Sequence, residues 1–137
     1  MRPSDYTAAH FNRFGVDHLP DHLGIVVTQV SPGEMRARFT VTKQLMAPNG
    51  FLHAAAVVAL ADTACGYGCI LSLPDGGIGF TTIELKTNFV RSTQQGTLTC
   101  EARLVHGGCT TQLWDATVTA PDGRAMAYFR CTQLVLR

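Results

Sequence analysis

The sequence predicts an α+β fold in which a curved antiparallel sheet wraps around one long buried helix. Three observations carry that prediction. The stretch 52–71 is rich in alanine, the best helix former, and between Ala54 and Leu73 it holds one charged residue, Asp62. Apolar and polar residues alternate with a period of two both before and after that stretch. The alternating runs that follow it are joined by turn residues, with no second helical period among them. At 137 residues the chain forms one domain, 1–137, with a single substantial core.

Residues 1–22 are read as an N-terminal helical arm, because Phe11, Phe14, Val16 and Leu19 recur at roughly helical spacing before Pro20 and Asp21 end it. His10, His18 and His22 fit no metal-ligand pattern and are expected to be solvated. From Leu23 the period changes to two, so residues 24–30 read as a strand and Ser31-Pro32-Gly33-Glu34 as a turn. Met35, Ala37, Phe39 and Val41 then alternate with Arg36, Arg38, Thr40 and Thr42, the pattern of a half-buried antiparallel strand. Ala47-Pro48-Asn49-Gly50 supplies a second turn and leads into the helix.

The helix gives out near Leu73-Pro74-Asp75-Gly76-Gly77. In the strand at 80–90, Ile83, Leu85 and Phe89 are expected to share one face. Leu98, Cys100, Ala102 and Leu104 mark the inner face of the next strand, and Trp114, Ala116, Val118 and Ala120 that of the one after. Pro121-Asp122-Gly123 makes the last turn, and the final strand covers 124–136. Strands joined by short turns curve into a sheet with one apolar face. A helix apolar all round fills the curve, and its far side needs a further cover, most simply a second copy of the chain.

Composition excludes several classes. A formal charge of +1, with basic residues scattered, gives no electrostatic case for nucleic acid or for an anionic membrane. The first residues, Met1-Arg2-Pro3-Ser4-Asp5, have no apolar core of the secretory kind. The five cysteines contain no Cys-x-x-Cys pair; Cys65 and Cys69, four apart on the helix, make a two-ligand metal site conceivable, but the preferred reading is small buried hydrophobes in a reducing cytoplasm.

Asp62 is the singular residue. A membrane span would need about 20 strongly apolar residues, whereas this run is mostly alanine and includes Asp62, Thr63, Gly66 and Gly68. A carboxylate inside such a helix is either held by structural hydrogen bonds or is a functional group, because an unpaired buried charge is costly. The functional reading is preferred.

Here the residues resemble the hotdog-fold thioesterases, in particular the phenylacetate-pathway and 4-hydroxybenzoyl-CoA thioesterase group. That family reads Asn-x-x-Gly-x-x-His-Gly-Gly followed by an alanine-rich helix with an acidic residue nine positions after the His. Gly50-Phe51-Leu52-His53 keeps the spacing, Leu60-Ala61-Asp62-Thr63-Ala64 matches the helix, and residues 81–89 resemble the following strand. Ala47 stands where the family has its Asn, Asn49 is close but out of register, and Ala54 and Ala55 replace the two glycines. Cys109 follows His106-Gly107-Gly108, where relatives often carry a basic residue.

The resemblance implies a cofactor-free acyl-CoA thioester hydrolase that works as a homo-oligomer, a dimer or a dimer of dimers. Asp62 would be general base or nucleophile and the Ala54 N–H the oxyanion donor, with Gly50 letting the chain approach closely. His53 either caps and packs or touches substrate, and Thr82 aligns with a water-orienting hydroxyl. Asn49, Gly50 and Thr81 are the expected substrate contacts.

Spacing adds an independent constraint. Nine residues separate His53 from Asp62 by about 13 Å along a helix, and at ~100° per residue the two point to nearly opposite sides. They cannot converge on one substrate carbonyl from the same helix; the resemblance implies a two-fold dimer with antiparallel helices, and the spacing demands something like it if both ends take part. A dehydratase would want a second His–acid pair, which the helix lacks. A non-catalytic acyl-thioester-binding module is the alternative from another class; Ala47 favours it and Asp62 argues against it.

Overall fold

The computed structural model describes residues 3–137. Six strands, β1 Val26–Ser31, β2 Glu34–Thr40, β3 Gly79–Phe89, β4 Thr97–Gly107, β5 Thr111–Thr119 and β6 Ala125–Leu136, form one antiparallel sheet in the order β1-β2-β4-β5-β6-β3. Among the described residues three α-helices accompany them, α1 Ala8–Phe14, α2 Leu19–His22 and α3 Ala54–Leu71, with short 3-10 turns at Pro3–Asp5 and Lys43–Leu45. The passage from β2 through α3 to β3 carries the chain from one side of the sheet to the far edge, where β3 pairs with β6.

Alternation decides which face is inward. Met35, Ala37 and Phe39 of β2, Leu98, Cys100 and Ala102 of β4, and Trp114, Ala116 and Val118 of β5 are all buried beneath α3. The outer face mixes polar side chains with exposed Tyr128 and Leu134; on it the Arg130 guanidinium grips the Asp115 carboxylate with two bonds of 2.6 and 2.8 Å. From α3 the residues Val57, Leu60, Ala61, Ala64 and Cys65 press into the sheet. Gly68 is required where the helix crosses Trp114, because a Cβ there would lie 2.5 Å from the indole ring. The indole N–H donates to Gln112 Oε1 at 2.8 Å, and Gln112 Nε2 donates to the Ser72 carbonyl at the helix end, also 2.8 Å. Trp114 is thus fixed from both sides.

By length and composition α3 could cross a membrane, yet 56% of that window is buried inside this fold. Helix α1 docks through Phe11, whose ring stacks on Tyr67 of α3 at 4.8 Å, and through Asn12, whose amide both donates to and accepts from the Val27 backbone. Phe14, Val16 and Leu19 stay exposed, so one aromatic ring anchors α1 rather than a full apolar face.

One strand departs from expectation. A register shift between Thr82 and Glu84 leaves Ile83 without a cross-strand partner and breaks the period of two. Leu85 and Phe89 pair with Cys131 and Ala127 on the inner face, but α3 does not cover them. Ile83, Leu85 and Phe89 are 58%, 44% and 45% exposed. The single face expected for these three residues is therefore broken by the bulge, and they form an open apolar margin along an edge strand.

Candidate active site

The turn before α3 builds the helix start. Met46 and Leu52 bridge across it, the Ala47 N–H donates to the Phe51 carbonyl, and the Gly50 N–H donates to the Ala47 carbonyl. Gly50 sits at φ +91°, a conformation that favours glycine. A Cβ there would meet nothing within 4 Å of this chain, so within the chain the residue is needed for the shape of the turn. Asn49 Oδ1 accepts the Phe51 N–H at 3.2 Å. That bond fixes which end of the amide is oxygen and leaves both N–H groups free of the turn.

His53 is the N-cap of α3. Its Nδ1 accepts the Ala55 N–H at 2.9 Å, and its carbonyl accepts the Ala56 N–H at 3.0 Å. In the neutral ring the proton therefore resides on Nε2, facing away from the helix. The cap uses the Ala55 and Ala56 N–H groups and leaves the Ala54 N–H as the unused first-turn donor, at the positive end of the helix dipole. A cleft of about 470 Å³ surrounds it, lined by Ala47, Asn49, Phe51, His53, Ala54 and Ser92.

Asp62 lies two turns further on, along the side of α3 that the sheet does not cover, with Ala55, Val58 and Ala59. Its Oδ1 is buried and has no hydrogen-bond partner. Burial pushes its carboxyl above the ordinary aspartate range. His53 and Asp62 of one chain do not meet, as their spacing demands.

Thr82 faces inward, and its hydroxyl donates to Gln133 Oε1 at 2.7 Å, so its proton is already committed. Thr81 pairs with Leu134 on the outer face and is not brought to the cleft around Ala54. Sequence reasoning missed Gln112 and Gln133, both fully buried. Their signal was available: each falls in phase with apolar inward residues, Gln112 with Trp114 and Gln133 with Cys131 and Val135. Among the described residues, no group of three or more His, Cys, Asp or Glu could hold a metal ion. Cys69 and Cys100 are pushed up to about 12 by burial, so both remain neutral thiols.

Each chain thus offers a free N–H at a helix start inside a cleft and, about 12 Å away along the axis, an unpartnered carboxylate. Such a pair suits acyl transfer, where one group stabilises an oxyanion and the other manages a proton.

Comparison with known proteins agrees. Residues 49–127, from the turn through α3 and into β6, match the thioesterase superfamily. The chain is 31% identical to the 1,4-dihydroxy-2-naphthoyl-CoA hydrolase of Listeria monocytogenes, over 83% of this chain and 92% of the relative. It is 30% identical to the proofreading thioesterase EntH of Klebsiella pneumoniae, over 96% of each. A mutant thioesterase PA1618 from Pseudomonas aeruginosa superposes with a TM-score of 0.90 at 27% identity, covering 96% of this chain and 94% of that one. The PaaI protein of the E. coli phenylacetic acid degradation operon superposes with a TM-score of 0.83 at 26% identity, covering 95% and 91%. The fold is the hotdog arrangement that the helix signature implied, and the chain belongs to the thioesterase superfamily.

Proposed function

We propose that this chain hydrolyses an acyl-CoA thioester to the free acid and coenzyme A, in a site shared between two copies. The observation that carries the reading is Asp62: a carboxylate oxygen buried without a partner on the uncovered side of α3. A purely structural aspartate would be expected to have satisfied that atom. The coenzyme A named for the Listeria relative supports the substrate class.

The thioester carbonyl oxygen rests on the Ala54 N–H of one chain, with the free amide N–H groups of Asn49 beside it in place of the absent amide at Ala47. Asp62 of the other chain takes a proton from water as the water oxygen attacks the carbonyl carbon. The negative charge that develops on the carbonyl oxygen is met by the Ala54 N–H and the helix dipole. The intermediate collapses, the C–S bond breaks, and the leaving thiolate takes up the proton that Asp62 removed from water, which returns Asp62 to its carboxylate form. Direct attack by Asp62 through an anhydride uses the same geometry. A single turnover in ¹⁸O-water that places solvent oxygen in Asp62 marks the anhydride route, with water attacking the aspartyl carbonyl of the anhydride.

The open margin of β3 supplies the means of pairing. An edge strand eleven residues long with exposed Ile83, Leu85 and Phe89 seeks another chain. The buried free thiols fit a cytoplasmic setting. A panel of acyl-CoAs in a thiol-release assay, with sedimentation at micromolar concentration, tests the proposal. No release from any acyl-CoA, or a fully active monomer, overturns it.

A further inference from the structure

Strand β3 runs antiparallel to α3 along its open side, and two contacts fix the match between them. At one end the tip of the Phe80 ring stands on Gly66, where a Cβ would lie 3.0 Å from it. At the other, Ser92 lines the cleft at Ala54, and the Leu52 N–H donates to the Thr93 carbonyl at 2.9 Å. Asp62 is one turn before Gly66 on the same side of the helix, and Thr82 is two residues beyond Phe80 on the same inward side of the strand. Thr82 therefore comes beside Asp62. Behind it stands Gln133, its partner across the β3–β6 ladder, with no exposed surface. Gln133 Nε2 donates to Cys131 Sγ at 3.4 Å, so the amide oxygen is the end turned to Thr82, and it accepts the Thr82 hydroxyl at 2.7 Å.

A threonine hydroxyl has one proton and two acceptor lone pairs. With the proton held by Gln133, Thr82 offers acceptors alone, and the unpartnered Asp62 Oδ1 is an acceptor too. Two acceptors side by side bind a water by its two hydrogens and turn its lone pairs away from both. We propose that Gln133 is a positioning residue for the attacking water: by taking the Thr82 proton it makes the Thr82 oxygen hold one O–H of that water while Asp62 holds the other. The inference rests on the thioesterase reading above and deepens its water route. As the water oxygen bonds to the carbonyl carbon, the hydrogen on Asp62 passes to the carboxylate. The hydrogen on Thr82 stays with the new hydroxyl of the tetrahedral adduct. Without Gln133 the Thr82 proton turns to the carboxylate or to the water oxygen, where it competes for the lone pair that must attack.

Charged neighbours do not blur the test. Glu84 and Lys86 of β3 pair with Thr132 and Arg130 on the outer face, and the titratable groups beside Asp62 on the inner side are the thiols of Cys65 and Cys131. A hydrogen bond with Cys131 and burial push Cys65 well up, so it brings no charge. The shared site adds the partner's His53, which is the same in every variant below. Burial raises the Asp62 carboxyl, and no hydrogen bond lowers it.

The test is kcat and KM across pH, on an acyl-CoA that the wild type hydrolyses, for Gln133→Met, Thr82→Val, Thr82→Ser and the double variant Gln133→Met/Thr82→Val, with melting curves beside them. Gln133→Met keeps a side chain of similar length without an acceptor. It should lower kcat by up to about a hundredfold at unchanged KM, the scale of a misplaced reacting group. Its freed Thr82 proton donates to Asp62 and favours the carboxylate, so the acid limb of the profile moves to lower pH. Thr82→Val should lose kcat comparably with the limb in place, and Thr82→Ser should stay close to the wild type. The double variant should be no slower than Thr82→Val, with its limb back at the wild-type position. A merely structural Gln133 lowers the melting temperature and moves no limb.

Wild-type kcat in a folded Gln133→Met, or a shifted limb that the double variant does not bring back, overturns the inference. If Gln133→Met does not fold, Thr82→Val decides: full activity overturns the inference, and a loss that Thr82→Ser rescues supports it. Solvent ¹⁸O in Asp62 after one turnover also overturns it, because the carboxylate and not water then attacks the thioester. Absence of hydrolysis with every acyl-CoA is a separate outcome: it removes the thioesterase reading and the positioning role with it.

Discussion

Replacing Ala54 with proline removes the proposed oxyanion donor while leaving every other group in the site in place. Proline fits the first helical position, where its missing N–H serves no helical bond. Two features of this helix start make the fit specific. His53 sits at φ −67° and ψ 134°, the extended geometry that a residue before proline prefers. The cap draws on the Ala55 and Ala56 N–H groups and not on that of Ala54. Ala54→Pro should therefore fold, pair and melt close to the wild type. Loss of one oxyanion donor costs about 2.7–4 kcal/mol of transition-state stabilisation, a rate loss of about 10²–10³. Because the donor and Asp62 would come from different chains, mixing inactive Ala54→Pro with inactive Asp62→Asn should restore activity. Each mixed dimer would hold one site with both lesions and one with neither. Random exchange puts half the dimers in that form, so about a quarter of wild-type activity returns if the sites act independently. The assay is thiol release after exchange, with labelled chains to prove that mixing occurred. Exchange without recovery refutes the shared site, and full activity in Ala54→Pro refutes the donor.

Three further outcomes are expected. Asp62→Asn should lower turnover at least about a hundredfold, and the acid limb of the wild-type pH–rate profile should lie above the ordinary aspartate range. The folded pKa of Asp62 is raised, so its stability contribution is present below the unfolded value and lost as pH rises through the folded one. Melting curves should accordingly show Asp62→Asn gaining on the wild type near neutrality and the gap closing in acid; the reverse order would count against a desolvated carboxylate. Gly68→Ala should destabilise, since overpacking against a fixed Trp114 costs about 1–3 kcal/mol against ~1 kcal/mol of helix propensity gained. Gly66→Ala, which meets only the tip of the half-exposed Phe80 at 3.0 Å, should be neutral or stabilising, and a reversed order of midpoints would refute this packing account. Leu85→Lys should shift the sedimenting species toward monomer and lower activity with it; an unshifted, active dimer would remove β3 from the interface.

Much of the fold was legible because alternation survives wherever a strand has one covered face and one wet one. Strands β2, β4 and β5 were readable for that reason, and Asp62 because it interrupts an alanine-rich helix. Legibility failed where position and not composition decides. Gln112 and Gln133 are polar by type but inward by phase; the donors that satisfy them are the Trp114 indole, two places along the same strand, and the Thr82 hydroxyl of the neighbouring strand β3. His53 caps the helix through Nδ1, a task more often given to Ser, Thr, Asp or Asn. Gly50 is demanded by a left-handed turn and not by crowding. Thr81 and Thr82 are adjacent and chemically alike, and only the pairing register sends one outward and the other in.

Strand β3 shows why the site itself was harder to read than the fold. Its apolar residues predict burial, and the single chain leaves them open; Asp62 predicts a partner, and the single chain supplies none. Under the proposed pairing both mismatches have one physical form, a group whose chemistry would be settled by atoms of a second chain. An exposed leucine on an edge strand is a modest cost, and a desolvated carboxylate is a larger one. A second copy that covers the margin of β3 and brings its helix start toward Asp62 relieves the two together. For that reason assembly and catalysis should fail in the same variants, and a substitution that separates the chains should silence Asp62 without touching it.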